Sequence, residues 1–245
     1  VIIVKSWKDI TKRKLMNKPK IFIACDTTNT KKINQIIDQS QTNKLEICLK
    51  LGLEFFLSPK GRGFMHKLKN KEIFLDLKLN DIPNTCAAAI NSLKDLKNIS
   101  YLTVHTNGGL DMLRAVKRTS KKLNKKIKIL GVTVLTSLSN SSIKKIGHTK
   151  SIVELVKKQA LLAKLAKLDG IICSGYEAKF LKKICKNMEI ITPGIRLPGD
   201  IKGDQKRIIT PKEAFKNGAT SIVIGRSITK GNIRNNIKKL IKSLN

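Results

Sequence analysis

The segment "YLTVHTNGGLDMLRAVKRTSKKLNKKIKILGVTVL", residues 101–135, contains one complete strand–helix–strand pattern. Residues 101–105 and 128–135 are short, apolar and rich in β-branched side chains, as strands usually are. Between them, residues 109–123 carry apolar side chains at helical spacing among basic ones. Parallel strands need such a crossover helix, so the segment predicts two neighbouring parallel strands joined by a helix.

The same alternation continues along the chain from residue 21 onward. Further β-prone runs occupy residues 21–25, 45–50, 72–76, 170–174, 189–192 and 221–225. Their largely apolar composition indicates a parallel sheet that is covered on both faces. Eight strand–helix units in a chain of 245 residues predict an α/β fold, a closed (β/α)8 TIM barrel. An open, doubly wound sheet is the alternative.

The chain is expected to form a single domain over residues 1–245, with a basic N-terminal arm at residues 1–19. No apolar run approaches the roughly 18 residues of a membrane span, and the first residues lack the order of charge and apolar core of a signal peptide. The five cysteines form no CxxC pair and mostly lie in apolar segments, which is typical of buried thiols in a reducing compartment. These features predict a cytoplasmic protein.

The net charge of +33 raises the possibility of a nucleic-acid-binding protein. However, the lysines are scattered over almost every helical segment, and aromatic residues make up only 4% of the chain, which leaves little for base stacking. The charge pattern therefore favours compositional drift with a mild attraction for anionic substrates. Specific nucleic-acid binding is not expected and is kept as the non-enzyme alternative.

Polar residues collect at one edge of the predicted barrel. Those at or just past the strand ends are Asp26, Lys50, Asp76, Lys78, His105, Thr136 and Arg226. In barrels of this class the carboxyl ends of the strands carry the active site, so their convergence predicts a site at that edge.

Asp76 and Lys78 are two residues apart in a strand, so their side chains point the same way and can touch. Lys50 ends the neighbouring strand and can join them, while Asp81 follows a turn just before Pro83, a residue suited to the first turn of a helix. A structural network of ion pairs is one interpretation of this row of charges. A functional cluster is the other, and it is favoured because perturbed charges in a pocket are more often functional.

Two glycine–arginine segments predict a phosphate site. "TPGIRLPGD" (192–200) follows the seventh strand and "IGRSIT" (224–229) follows the eighth, and these are the loops where such barrels commonly hold phosphate. Gly194 and Gly225 let backbone N–H groups approach an anion, and Arg196 and Arg226 offer bidentate charge.

The stretch "DLKLNDIPNT" (76–85) resembles the DxKxxDIPNT signature of the orotidine 5′-phosphate decarboxylase family, and the resemblance spans most of the chain. Similar to the bacterial members are also "CLKLGLEFF" (48–56), "VHTNGG" (104–109), "GVTVLTS" (131–137), "TPGIR" (192–196), "GDQKR" (203–207) and "IVIGRSIT" (222–229). The chain departs from the family at Cys25 and Gly203, where a leucine and an acid are usual, and in its basic arm.

The resemblance implies decarboxylation of orotidine 5′-phosphate to UMP without a metal or an organic cofactor. It implies that Lys78 stabilises the developing carbanion and protonates carbon 6, that Asp76 stresses the substrate carboxylate, and that Asp81 orients Lys78. The further expected substrate contacts are Asp26 and Lys50 to the ribose, Thr136 to the pyrimidine, Thr85 from the second subunit, and Arg196, Gln205, Gly225 and Arg226 to the phosphate, with Gln205 on a closing loop (197–210). It also implies a homodimer in which Asp81 and Thr85 complete the partner's site.

Related barrels that act on sugar phosphates also carry DxKxxD but use magnesium. A set of glutamates suited to that metal is missing from the predicted strand ends, and "IPNT" (82–85) favours the pyrimidine enzyme. Magnesium dependence separates these two enzymes, and steeply salt-dependent DNA binding would support the non-enzyme alternative.

Overall fold

Eight parallel strands close into a barrel in the computed structural model, which describes residues 18–68, 71–123, 127–200 and 207–244. The strands are β1 (Lys20–Ala24), β2 (Glu46–Gly52), β3 (Ile73–Leu79), β4 (Ile99–His105), β5 (Lys128–Val132), β6 (Gly170–Ile172), β7 (Glu189–Thr192) and β8 (Ser221–Ile224). Each strand pairs with the next in sequence, and β1 also pairs with β8, so the sheet is closed. The predicted (β/α)8 barrel is confirmed, and the open-sheet alternative is excluded.

Helices follow the strands and form the outer layer. They are α1 (Thr30–Gln39), α2 (Leu53–Leu57), α3 (Gly61–Lys67), α4 (Pro83–Asn91), α5 (Gly109–Lys122), α6 (Asn140–Lys145), α7 (Ile152–Leu165), α8 (Gly175–Ile184), α9 (Pro211–Lys216), α10 (Arg226–Thr229) and α11 (Ile233–Leu244), with a short 3-10 turn at Thr106–Gly108. Local sequence fixes several starts. Ser151 and Glu154 form a capping box that begins α7, and Pro83 occupies the first turn of α4. None of the described helices is long and apolar enough to span a membrane.

Two apolar layers hold the barrel together. The inner layer fills the barrel with Phe22, Ala24, Cys48, Phe74, Tyr101, Leu130, Val132, Ile172, Ile191 and Val223. The Phe22 ring meets Phe74 and Tyr101 edge to face, each at a centroid distance of 5.0 Å. The outer layer packs the helices on the strands and contains Cys25, Cys86, Cys173 and Cys185. All five cysteines are free and buried, which confirms their prediction as small core residues.

Several strand ends differ from the prediction, most of all those of β3 and β5. β3 continues beyond residue 76 to Leu79, and β5 ends at Val132 instead of residue 135. The extra apolar residues after β5, Val134 and Leu135, line a cavity at the mouth of the barrel. Val134 and Leu135 are apolar because they line the cavity, and the sequence pattern alone cannot distinguish such residues from those of a buried strand.

The pairing of β3 with β4 is irregular beside the predicted site. Leu75 pairs with Leu102 and Leu79 pairs with Val104, so residues 76–78 of β3 lie opposite a single residue of β4. Extra residues on one strand interrupt the hydrogen-bonded ladder and turn nearby side chains, and such bulges are frequent next to active sites.

Lys78 lies in this bulge with a φ of 49°, the left-handed region. That conformation costs an L-residue without a glycine's freedom about 1–2 kcal/mol. The residue opposite the bulge is Thr103, which is fully buried. The strand is therefore distorted at the residue that sequence analysis placed at the centre of the chemistry.

Several predicted features lie outside the described residues. The N-terminal arm is described only at residues 18 and 19, and Gln205 and Gly203 are not described. The loop predicted to close (197–210) is described at 197–200 and 207–210. A single domain over the whole chain stays a prediction.

Candidate active site

A chain of alternating charges lies at the carboxyl ends of β1, β2 and β3. Lys78 Nζ donates to Asp76 Oδ1 at 2.9 Å, and Lys50 Nζ lies 3.2 Å from Asp76 Oδ2. Lys50 also reaches Asp26 Oδ1 at 3.5 Å. The structure thus brings together four of the predicted residues, Asp26, Lys50, Asp76 and Lys78, in the order that the strand positions predicted.

The four groups differ in their access to solvent. The Lys50 and Asp76 side chains are 11% and 10% exposed, whereas those of Lys78 and Asp26 are 36% and 67% exposed. The buried pair forms the base of the cluster. Lys78 therefore presents a cation at the edge of the site while its partner carboxylate stays buried.

Burial and charge act in opposite directions on the buried pair. Burial alone would raise the pKa of Asp76, but Lys50 and Lys78 more than offset it and the pKa lies below its usual value. Burial alone would lower the pKa of Lys50, but Asp76 and Asp26 more than offset it and the pKa is raised. Asp76 is therefore ionised and Lys50 protonated at neutral pH.

Thr103 supports the cluster from β4. Its hydroxyl donates to Asp76 Oδ1 at 2.9 Å and accepts from the backbone N–H of Lys78, also at 2.9 Å. Sequence analysis missed this residue. The available signal was a hydroxyl in the middle of the otherwise apolar run "YLTVH" (101–105), but such a threonine is common in strands.

The cluster forms one wall of a cavity of about 220 Å³. Its lining comprises Lys50, Phe74, Asp76, Lys78, Val132, Val134, Leu135, Thr136, Ser137, Ile172, Cys173, Pro193 and Val223. The side away from the charges is largely apolar, and the predicted contact Thr136 lies in the loop after β5. A flat ring with polar edges matches such a cavity, since most small-molecule sites combine apolar walls with a few polar groups.

A second, polar cavity of about 360 Å³ opens beside the ends of β7 and β8. It is lined by Arg196, Gly199, Asp200, Arg226, Ser227, Lys230 and Asn236. Burial and the neighbouring Arg226 lower the pKa of Arg196, so an anion between the two guanidinium groups would relieve both effects. Ser227 Oγ is buried and has no hydrogen-bond partner within the described residues, and it is a second residue that sequence analysis missed.

Glycine is required at one of the two predicted phosphate-loop positions. Gly194 has a φ of 75°, which glycine adopts without the steric cost that a side chain brings. Gly225 precedes α10 at the end of β8, and a Cβ there would meet only ordinary contacts with Ala24 and Asp26. The sequence argument for backbone approach is thus supported by a conformational need at Gly194 only.

Asp81 and Thr85 are exposed at the start of α4. Asp81 Oδ1 accepts from the backbone N–H of Ile82 at 2.7 Å, which stabilises the turn before α4. Within the described residues, Lys78 pairs with Asp76 and not with Asp81. Within the described part of this chain, Asp81 therefore makes no ion pair with the lysine that it was predicted to orient.

His105 ends β4 and is the remaining predicted strand-end residue. Burial and the nearby Lys78 lower its pKa, so the imidazole is neutral at neutral pH. Its Nδ1 accepts from the backbone N–H of Asn107 at 3.4 Å, which holds the 3-10 turn that follows. His105 serves the local backbone in this arrangement.

The described residues contain one grouping with metal-ligand spacing, and it lies at the opposite end of the barrel. Glu46, Cys48 and Glu72 offer atoms within 4.8 Å of one another. Lys20 Nζ already contacts Glu46 and Glu72 at 2.6 and 3.3 Å, and burial raises the pKa of the Cys48 thiol to about 12. The Lys20 ammonium therefore occupies the position that a metal ion would need.

Comparison with known proteins identifies the relatives of this chain. The profile of the orotidine 5′-phosphate decarboxylase / HUMPS family matches residues 19–239. An orotidine 5′-phosphate decarboxylase of Wolbachia sp. subsp. Brugia malayi is 44% identical over 228 residues, or 91% of this chain and 98% of that protein. The Legionella pneumophila (strain Corby) enzyme of the same name is 39% identical over 215 residues, or 86% and 92%.

Solved structures agree with the sequence relatives. The orotidine 5′-phosphate decarboxylase of Lactobacillus acidophilus is 31% identical and superposes with a TM-score of 0.79, covering 93% of this chain and 99% of that one. The orotidine 5′-monophosphate decarboxylase of Methanocaldococcus jannaschii, solved with the inhibitor BMP, is 25% identical with a TM-score of 0.71, over 94% and 100%.

Proposed function

This chain belongs to the orotidine 5′-phosphate decarboxylase / HUMPS family, and we propose that it removes CO2 from orotidine 5′-phosphate through the charges around Lys78. It is a carboxy-lyase, and its product is UMP. The observation that most supports this chemistry is a buried, ionised Asp76 held between two lysines at the wall of a largely apolar cavity. A carbanion that forms in such a cavity needs a fixed cation beside it.

Lys78 carries the central step. When the bond between carbon 6 and the carboxylate breaks, its electron pair stays on carbon 6 and CO2 leaves. The Lys78 ammonium lies at the cavity wall and stabilises this pair, then donates a proton to carbon 6. Asp76 holds the ammonium in place at 2.9 Å, so little reorganisation is needed when charge develops.

Asp76 also acts on the substrate before the bond breaks. Its pKa is lowered, so it is a carboxylate at neutral pH. A second carboxylate brought next to it is repelled, and that repulsion disappears when CO2 departs. Lys50 neutralises the opposite face of Asp76 and keeps the cluster stable without substrate.

Remote groups hold the rest of the substrate. Arg196, Arg226 and the unpaired hydroxyl of Ser227 surround the polar cavity, which suits a phosphate. Asp26 and Lys50, at the ends of β1 and β2, are proposed to contact the ribose hydroxyls, and Thr136, which borders the cavity, is proposed to contact the pyrimidine. Gln205 and Gly225 are proposed as further phosphate contacts on the strength of the sequence pattern.

The active unit is proposed to be a cytoplasmic homodimer with shared sites. Asp81 and Thr85 are exposed at the start of α4, and Asp81 does not contact Lys78 in its own subunit. Two large apolar side chains are also exposed: Leu57, at the end of α2, is 74% accessible, and Ile82, directly before α4, is 66% accessible. A two-fold dimer that covers them would carry Asp81 into the partner's site.

The decisive experiment is the loss of orotidine 5′-phosphate absorbance after addition of purified protein and a chelator. Full activity is expected with the chelator present. Activity that requires added magnesium would instead favour the sugar-phosphate enzymes of the same family. An inactive protein that binds DNA with a steep salt dependence would favour the nucleic-acid alternative.

A further inference from the structure

Thr103 lies opposite the β3 bulge, where regular strand pairing provides no backbone partner for the N–H of Lys78. The regular pairs stop at Leu75–Leu102 and resume at Leu79–Val104. A buried backbone N–H without a partner would cost about 1–3 kcal/mol. The Lys78 N–H avoids this cost by donating to Thr103 Oγ1 at 2.9 Å.

The same hydroxyl fixes the other reactive group. A threonine hydroxyl has one proton to give and lone pairs with which to accept. Since Oγ1 accepts from Lys78 N–H, its own proton is free to be donated, and it lies 2.9 Å from Asp76 Oδ1. The same oxygen also accepts the hydrogen bond from the Lys78 ammonium. Three hydrogen bonds thus form a closed ring: the Lys78 N–H donates to Thr103, Thr103 donates to Asp76, and the Lys78 ammonium donates to Asp76 as well.

We propose that Thr103 is a positioning residue that holds Lys78 in its left-handed conformation and Asp76 in its rotamer, so that ammonium and carboxylate face the cavity together. Thr103 is fully buried and does not line the cavity, so it acts through these two residues and not on substrate. The inference rests on the proposed role of Lys78 for its kinetic consequences. Its geometric consequences can be observed without any reaction.

The backbone strain explains why a dedicated group is needed. Lys78 has a φ of 49°, and without an anchor its peptide would relax toward the extended conformation of the surrounding strand. A displacement of about 1 Å in a positioned catalytic group can cost about 100-fold in rate. Binding of the phosphate depends on other strands and should be preserved.

The test compares Thr103→Val with Thr103→Ser and a matched control. Valine keeps the shape and removes the hydroxyl, whereas serine keeps the hydroxyl. Thr133→Val is the control, because Thr133 is equally buried and its hydroxyl donates at 2.8 Å to a backbone carbonyl, that of Ile172, and not to a charged group. We expect Thr103→Val to lower kcat by about 10- to 100-fold with KM within about twofold. Thr103→Ser and Thr133→Val should remain within about threefold of wild type.

The proposal is overturned if Thr103→Val has the kcat of Thr133→Val, or if its loss lies in KM alone. It is also overturned if serine restores nothing, because packing and not the hydroxyl would then be responsible.

A crystal structure of Thr103→Val decides the geometric claim even if the decarboxylase assignment fails. Lys78 should leave the left-handed region, or its Nζ should separate from Asp76. An unchanged Lys78 and Asp76 would refute the positioning role, whereas an inactive wild-type protein would refute only the proposed function.

Discussion

The two ends of the barrel both carry a network of lysines and carboxylates, yet they are built differently. At the carboxyl end, Lys50 and Lys78 share Asp76 beside a cavity. At the amino end, Lys20 contacts Glu46 and Glu72, and Lys128 pairs with Glu189. Tyr101 lies between the two lysines of the amino end, each within 5.3 Å of its ring centre. We refer to these groups as the upper cluster and the lower cluster.

The two clusters differ in the backbone conformation of the residues that carry their charges. Lys20, Glu46, Lys128 and Glu189 each begin a strand with regular pairing, whereas Lys78 lies in a bulge with a positive φ. The lower cluster covers the aromatic layer of the barrel, and its lysines and carboxylates form ion pairs with one another. The upper cluster holds a cation in a strained conformation beside a cavity. Paired charges at strand ends are thus not sufficient evidence of catalysis, but paired charges on distorted backbone are stronger evidence.

The largest expected effect separates the clusters directly. Lys78→Ala should lower kcat by several orders of magnitude, since a lost general acid accounts for about 10²–10⁴-fold and a lost charge in a dry site for about 10²–10³-fold more. Lys128→Met, in the lower cluster, should keep kcat within about twofold. Steady-state kinetics of both variants, with circular dichroism to verify folding, measure the contrast.

A Lys78→Ala enzyme within tenfold of wild type would remove Lys78 from the chemistry and make the upper cluster structural. A large kcat loss in folded Lys128→Met would show that the lower cluster also serves turnover, and the distinction between the two ends would fail.

The next effect concerns the rim of the upper end. Arg226→Ala removes a charged contact expected to hold phosphate, worth about 1.5–3 kcal/mol, so kcat/KM should fall about 10- to 100-fold on orotidine 5′-phosphate. On orotidine, which lacks the phosphate, the change should be under about twofold. Arg62→Ala is the control, because Arg62 pairs with Asp95 on the outer surface. Equal losses on both substrates would place Arg226 away from the phosphate.

Sequence patterns predicted which residues form the upper cluster, because these residues stand at or near the ends of neighbouring strands. Alternation along a strand predicted that Asp76 and Lys78 would touch, and they do, although Lys78 lies in the bulge where regular alternation is interrupted. The parallel order of strands brought Lys50 beside Asp76. The bulge could not be predicted in this way, because it depends on how β3 and β4 pair across the closed barrel. The role of Thr103 follows from the bulge and was missed with it.

The lower cluster was missed for a related reason. A charge at the start of a strand usually points to water, so Lys20, Glu46 and Glu189 gave no signal one at a time. Only barrel closure brings them around Tyr101. The same limit applies to Asp81, because its predicted contact is with a second subunit and reasoning about one chain cannot locate it.

A smaller effect tests whether the upper end is completed by a partner. Lys78→Ala and Asp81→Asn are each expected to be nearly inactive, but in a mixed dimer one site receives both intact residues. With random exchange, half of the dimers are mixed and half of their sites are whole, so about a quarter of wild-type activity should return. The variants are unfolded and refolded together, and native mass spectrometry verifies mixed dimers. If mixed dimers are verified but activity does not return, Asp81 acts in the site of its own subunit.

The smallest effect is confined to the lower cluster and appears in stability rather than in rate. Burial alone would lower the pKa of Lys20, but Glu46 and Tyr101 more than offset it, so the pKa lies above its usual value of 10.5. A raised folded-state pKa contributes stability that is complete below 10.5 and is lost as pH rises toward the folded value, because the unfolded chain releases the proton first.

The free energy of unfolding should therefore fall above pH 10.5, by up to about 1.4 kcal/mol per pH unit from this group. Lys20→Met should remove part of that slope and should lower stability at neutral pH by about 1–3 kcal/mol, since carboxylates lose a charged partner. Lys31→Met, at an exposed position on α1, is the control and should retain the wild-type slope. Urea unfolding between pH 8 and 11.5 measures all three proteins. If the free energy of unfolding of Lys20→Met falls with pH as steeply as that of wild type, Lys20 is not held by the lower cluster. If that slope is reduced and kcat is unchanged, the lower cluster is structural, because its charges stabilise the fold without serving the reaction.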